Sequence, residues 1–404
     1  MSSDLVDRTL ANGLRVLAVR HGVTPLAEAR LLLPSPCPTQ AVLAESVLLA
    51  ACLSRGQAAE DRVELDVVAD VHQMTATACC SLHDMDALTR ALAEVARGVP
   101  AEVEPARGHL IAQLKVARAH PDFTVRAQLA RQLFGDHPVA FTMPEEDELA
   151  RIAEVRRGPS GPRGAVLVIL APDDPGRLAD AAERTLAGWQ APLRDVAPLP
   201  PLPAVEGGRL VLLSRPGAPQ SRIRLRAPGV TVEHERYPEL FLACGVLGGA
   251  LSSRLSRSLR EDKGYVYGVT VFFDSHPGAG FLAIEADTAA ATTGPALEVL
   301  AAELSRMRTH PPTGQEIATA RAYAIGSMAT RLAPRARLAT ALADLAAKAM
   351  DPLLLLDFPR RLAAVTPDAV VAAAEEFFAP ERFSGVVAAD PRELADPPAL
   401  GRCR

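Results

Sequence analysis

Apolar and polar residues along this 404-residue chain follow an order that is stated twice. In the first half, Asn12-Gly13 is a turn signal and residues 14–19 (LRVLAV) predict a strand. Residues 26–33 (LAEARLLL) predict a second strand, closed by Pro34, and residues 39–53 a helix. In the second half, Gly207-Gly208 precedes a strand predicted at 210–213. Residues 221–226 (SRIRLR) alternate as the next strand and stop at Pro228, and a helix is predicted over 238–260.

The parallel continues. Residues 72–82 predict a strand, and 84–97 a helix with apolar positions at helical spacing. Their counterparts are 267–286, a two-strand run broken at Pro277-Gly278, and a helix at 295–308. Helices at 103–118 and 124–134 match helices at 313–331 and 335–350, and each half ends on an apolar strand, at 165–170 and 384–389. The pattern therefore predicts a duplicated α+β unit of about 200 residues rather than a short solenoid repeat. Each domain should be a mixed, mostly antiparallel sheet with helices packed on one face. A proline-dense stretch, 191–203, predicts an extended, stiff connection. The expected division is a first domain at 1–197, a linker at 198–206 and a second domain at 207–404.

Composition narrows the function classes. Apolar residues make up 49% of the chain, enough for sizeable cores. A net charge of −5 gives no electrostatic case for nucleic acid or an anionic membrane, and 4% aromatics gives none for base-stacking platforms. The first residues carry acids where a signal peptide needs a basic start, and no apolar run reaches the ~18 residues of a membrane span. The expectation is a soluble cytoplasmic protein. The six cysteines form no C-x-x-C pair, which argues for free buried thiols. Arg156-Arg157 predicts a solvated loop, and Asp173-Asp174 a turn and helix cap.

One run stands out chemically: Gly248-Gly249-Ala250-Leu251-Ser252-Ser253-Arg254-Leu255, then Leu259-Arg260-Glu261 and Gly264-Tyr265-Val266-Tyr267. No G-K-[ST] follows the glycines, so this is not a phosphate loop. The run resembles the second half of the pitrilysin/insulinase and mitochondrial-processing-peptidase family, where the pattern is G-G-x-x-S-S-R-L followed by L-R-E-x-x-G-x-x-Y. The duplication, the N-G-L-R-V opening strand and the proline-rich link extend the resemblance over nearly the whole chain. The resemblance implies a half-shell that pairs with another to enclose a peptide. It also implies that Arg260 and Tyr267, seven residues apart, help hold that peptide.

The first half departs from the family. Zinc-bearing members carry H-x-x-E-H on the helix after the second strand. Anchored on Arg55-Gly56, those positions are Val47, Leu48, Leu49, Ala50 and Ala51, none able to ligate zinc or move a proton. The family's third ligand, a Glu, falls near Ile111-Ala112-Gln113-Leu114, where there is no acid. No two of the nine histidines stand four apart. No metal is expected in this chain.

Each marked residue has two readings. Arg260 is either a cation favourable to a helix C-terminus or a donor to substrate carbonyls. Tyr267 is either a packing residue of a strand or a phenol that hydrogen-bonds a carbonyl oxygen as it gains negative charge. Tyr265, two residues away, is its obvious rival. Gly248 and Gly249 either relax helix packing or form a short substrate-side loop. Arg254 either orders the helix, by local hydrogen bonds or an ion pair, or touches substrate, and the first is the expectation. The function expected is a non-catalytic, substrate-binding subunit, inactive alone, that completes the active site of a zinc-bearing homologue. Its substrates would be peptides, among them leader peptides in a high-GC bacterium. A structural scaffold and a stand-alone peptide-binding protein are the alternatives.

Overall fold

The computed structural model describes residues 4–56, 62–98, 103–156, 158, 161–190, 198–348 and 350–394. Residues 191–197 of the proline-rich stretch, Arg157 and Cys403 lie outside them. Residues 198–206 carry no regular secondary structure.

The first sheet contains β1 (Leu5–Thr9), β2 (Arg15–Arg20), β3 (Leu26–Pro34), β4 (Val63–Ala69), β5 (Gln73–Ser81) and β6 (Val166–Ala171), in the order β1-β2-β6-β3-β5-β4. The second contains β7 (Leu210–Ser214), β8 (Gln220–Pro228), β9 (Val266–His276), β10 (Ala279–Ala289) and β11 (Ser384–Ala389), in the order β7-β11-β8-β10-β9. Without the extra edge strand β1, the two orders are the same. The directions match too: β2 runs parallel to β6 and β7 to β11, and the other pairs are antiparallel. This is the α+β duplication that the sequence pattern predicts.

The sheet interiors follow from composition. The inner strands β6 (VLVILA) and β11 (SGVVAA) are buried at every position and carry no alternation. Strand β5 (QMTATACCS) alternates half-buried and buried, with Met74, Ala76, Ala78 and Cys80 facing the core. Strand β4 was not among the expected strands: residues 72–82 supply only one of the two counterparts of 267–286. Its sequence, VELDVVA, sets the exposed Glu64 and Asp66 between apolar residues on a sheet edge. Those two charges mask a strand whose other face is buried.

Helices α1 (Gln40–Gly56), α2 (Met85–Arg97) and α6 (Pro175–Leu186) pack on one face of the first sheet. In the second, α7 (Tyr237–Gly248), α8 (Thr293–Thr309) and α12 (Pro367–Phe377) form the corresponding layer. Asp174, expected as a helix cap, is the N-cap of α6 and accepts from the Arg177 N–H; β1, α12 and two further helices, α5 (Glu146–Arg151) and α11 (Leu353–Ala364), are additions to the sequence pattern. The expected helices at 103–118, 124–134, 313–331 and 335–350 are α3 (Val103–Ala119), α4 (Pro121–Phe134), α9 (Gly314–Leu332) and α10 (Arg335–Ala347).

The division into compact units differs from consecutive segments in one respect. One unit combines residues up to Ala119 with Phe141–Pro200 and Arg331–Leu355; the other combines His120–Ala140, Pro201–Thr330 and the residues from Leu356 on. Each half thus gives a helix to the other half's sheet. In the first unit, α10 lays Ala339, Leu342, Ala343 and Ala346 on Leu17, Leu32, Val166, Val168 and Leu170, the sheet face turned away from α1. In the second, α4 packs on β8 and β11.

The two exchanged helices are held alike. Arg30 and Arg224 are each the fifth residue of a nine-residue strand, β3 and β8. Arg30 donates to the Ala336 carbonyl at 3.3 Å and the Thr340 hydroxyl at 3.4 Å. Arg224 donates to Asp122 at 2.8 Å, and Arg126 bridges Asp122 at 2.6 Å and Glu285 at 3.2 Å. Asp122 and Arg126 occupy the same positions of α4 that Ala336 and Thr340 occupy of α10. Burial works against the Asp122 carboxylate, but Arg126 and Arg224 hold it below the usual range.

Candidate functional site

The G-G-x-x-S-S-R-L run does not continue one helix to Arg260, as the pattern predicts. Helix α7 ends at Gly248, an irregular turn follows, and Ser256–Asp262 forms a π-helical segment. Gly248 explains the close approach at the break. A Cβ there would collide with the Val271 side chain on β9, so only glycine lets the helix end sit against the strand. Gly248 is buried and Gly249 exposed. Beside the turn lies a cleft of about 130 Å3, lined by Gly245, Ser252, Ser253, Arg257, Glu316 and Thr319 among others.

Arg254 anchors the turn. Its guanidinium makes a two-pronged pair with Glu316, at 2.7 and 2.9 Å, and donates to the His310 carbonyl at 2.8 Å. Bonded to Arg254, and accepting from Thr313, the Glu316 carboxyl is pulled down to about 2. These contacts occupy the Arg254 guanidinium and leave it an ordering role.

The π-helical segment sets the position of Arg260. Leu255 and Leu259 are buried at 0% and 1% exposure, so their apolar faces fix it on the core. Gly264, at φ 65°, reverses the chain, its N–H donating to the Arg260 carbonyl while the Tyr265 N–H donates to Leu259. Arg260 is left exposed. Such widened turns are rare and recur at functional sites.

Tyr267 is aimed by a second irregularity. The β9–β10 register shifts between Ala286 and Thr288: Val266 opposes Thr288 and Val269 opposes Ala286. Two β9 residues, Tyr267 and Gly268, therefore oppose the single Asp287, which is a β-bulge. Val266 and Val269 both stay buried, while Tyr267 is 91% exposed. The Arg260 guanidinium carbon lies 5.6 Å from the centre of the Tyr267 ring, within cation–π range. Tyr265 goes the other way. It packs against the second core, and its carbonyl accepts the Thr288 hydroxyl at 2.7 Å. The structure thus brings Arg260 and Tyr267 together at a sheet edge and separates Tyr265 from them. Neither the π-helical segment nor the bulge was read from the sequence; the extra residue between Val266 and Val269 was the available signal.

The zinc-motif positions lie on α1. Ala50 is buried at 1% exposure, and Val47 and Ala51 pack half-buried against the first core. Helix α1 packs on α3, which carries Ile111 and Leu114 where the third ligand would stand. These side chains have no donor atom, so a zinc ion does not fit these positions. Among the described residues, no group of three or more His, Cys, Asp or Glu could hold a metal ion. Nor, among them, is any helix long and apolar enough to cross a membrane.

Residues 161–323 match the family model described as the Peptidase M16 inactive domain. The uncharacterized zinc protease YmxG of Bacillus subtilis is 23% identical over 233 residues, 56% of this chain and 56% of the relative. The match thus spans little more than half of that relative's length. Among solved structures, the peptidase M16 inactive domain from Pseudomonas fluorescens has a TM-score of 0.77 at 18% identity, over 96% of this chain and 98% of that one. A protease from Helicobacter pylori has a TM-score of 0.80 at 14% identity, over 96% and 99%. These structures share the fold, and the matched inactive domain contains the whole G-G-x-x-S-S-R-L run together with Arg260 and Tyr267. Over residues 161–323 the chain is thus similar to the M16 inactive domain, and over nearly its whole length it shares the fold of these solved structures.

Proposed function

We propose that this chain is the non-catalytic, substrate-binding subunit of a two-subunit zinc metallopeptidase. The observation that carries the reading is the Arg260–Tyr267 pair: two exposed donors, aimed together by a π-helical turn and a bulge, in a chain whose zinc-motif positions hold no ligand. Packing does not account for a tyrosine 91% exposed. Two donors that face solvent can grip a peptide carbonyl, and grip it harder as negative charge develops on the oxygen. A zinc-bearing relative would supply the metal, the general base and the water. The substrate would be a peptide, cleaved in the cytoplasm of a bacterium.

The test is reconstitution. This chain and a zinc-bearing relative from the same genome are expected to co-elute on size exclusion. Together, and not singly, they should cleave a quenched-fluorescent peptide. Failure to co-elute, with tight peptide binding by the lone chain, would make it a peptide-binding protein instead.

A further inference from the structure

Helix α8 buries Thr293, Ala296, Leu297, Leu300, Leu304 and Met307, the spacing of an apolar stripe. Glu303 stands within that stripe at 4% exposure. A buried carboxylate is costly to keep, and an apolar residue in its place is often neutral or stabilising. Folding alone gives no reason for an acid there.

The duplication supplies an internal control. Three-residue 3-10 turns, Leu82–Asp84 and Ala290–Thr292, precede α2 and α8 and align the two helices. Leu92 then matches Leu300, and Val95 matches Glu303; Val95 is fully buried. The half without an Arg/Tyr pair has valine at this position, and the half with the pair has glutamate.

The contacts of Glu303 show what the acid does. Its Oε1 accepts the Ser258 hydroxyl at 2.8 Å and Arg306 Nη1 at 2.7 Å. Its Oε2 is buried without a hydrogen-bond partner. Ser258 lies in the π-helical segment, two residues before Arg260. Arg306 sits on α8 itself, so the bond to Ser258 is the one that ties the segment to the helix beneath it.

We propose that Glu303 is the positioning residue for Arg260: its carboxylate fixes the π-helical segment through Ser258 and so sets where the guanidinium meets the substrate. The inference rests on the reading of Arg260 and Tyr267 as substrate contacts. Glu303 touches no substrate and acts through Ser258. A widened turn lacks the regular i→i+4 ladder, so a side-chain tether has more to fix here than in an ordinary helix.

The experiment uses the reconstituted pair and the quenched-fluorescent peptide. Glu303→Val, which copies the first half, is expected to fold with an undiminished melting temperature. Its kcat should fall about 10- to 100-fold with KM little changed, since small misplacements of a positioning group cost rate on that scale. Combined with Arg260→Ala it should cost nothing further, because the residue to be positioned is gone. Glu303→Gln keeps the acceptor for Ser258 and should retain most of the turnover. A merely structural role would move the melt and leave the kcat loss additive. If Arg260→Ala is crippled while folded Glu303→Val turns over normally, this inference is overturned and the reading beneath it stands. If Arg260→Ala is itself unaffected, or the pair never cleaves, the underlying reading has failed. Should Glu303→Val not fold, Ser258→Ala cuts the same tether from the other side, and unchanged kcat there overturns the proposal.

Discussion

The Arg260 guanidinium lies over the Tyr267 ring, 5.6 Å from its centre, although the two residues belong to different secondary-structure elements. A tight reversal at Gly264 and a bulge at Tyr267–Gly268 are both required for that approach. Removing either donor should therefore affect function rather than folding. Arg260→Ala and Tyr267→Phe are each expected to lower kcat of the proposed two-subunit peptidase by about 10²–10³. The melting free energy of the isolated chain should stay within about 0.5 kcal/mol, as for surface changes in general. Kinetics of the pair beside thermal melts of the single chain check this. Normal turnover in both variants would make the pair a structural feature and favour a scaffold.

Gly248 packs against Val271 with no room for a side chain. Gly248→Ala should destabilise the chain by about 1–3 kcal/mol, the usual cost of overpacking. Gly248→Ala combined with Val271→Ala should recover part of that loss. Denaturant titration of both variants decides it, and full stability of the single variant would show that the helix end shifts freely.

The Arg254–Glu316 pair gives a pH dependence. The Glu316 carboxyl lies at about 2 in the folded chain, against 4.5 for a free glutamate. A depressed carboxyl contributes stability in full above its unfolded value, and that contribution is lost as pH falls through the folded one. The stabilisation should be complete above pH 4.5 and disappear between there and about 2. Arg254→Leu should make the chain less stable near neutrality and flatten its acid limb over that window. Melts from pH 2 to 7 compare the two, and parallel curves would refute the coupling.

Val47, Ala50 and Ala51 leave the zinc-motif positions of helix α1 without donors. The purified chain should therefore carry no stoichiometric zinc, and a chelator should not shift its melt. Elemental analysis finding about one tightly held zinc per chain would contradict this, since tight sites need three or four ligands.

Much of the architecture is legible in residue order. The alternation in SRIRLR, the apolar runs of β6 and β11 and the Asn12-Gly13 turn all report local backbone preferences, and the repeat makes each half confirm the other. Strand β4 escaped because Glu64 and Asp66 lie on an edge whose outer face needs no apolar residue. The exchange of α4 and α10 escaped for a different reason. Both are amphipathic helices, and amphipathicity says that a face is covered without saying which sheet covers it. At the site, the family resemblance singled out Arg260 and Tyr267, whereas the bulge and π-helical segment that bring them together are register effects. Glu303 had a signal, an acid inside an apolar stripe.

The exchanged helices have a consequence for how the chain can be divided. A gene fragment ending in the proline-rich stretch would lack α10, leaving Leu17, Leu32, Val168 and Leu170 bare on one sheet face. It would also carry α4 with no sheet to receive it, since the Asp122 and Arg126 partners, Arg224 and Glu285, lie on the other fragment. Expressed singly, the fragments should be insoluble; expressed together, they should complement one another, each returning the helix the other lacks. The duplication is visible as two copies in the sequence, yet neither copy is an heirloom that could be passed on or shuffled by itself.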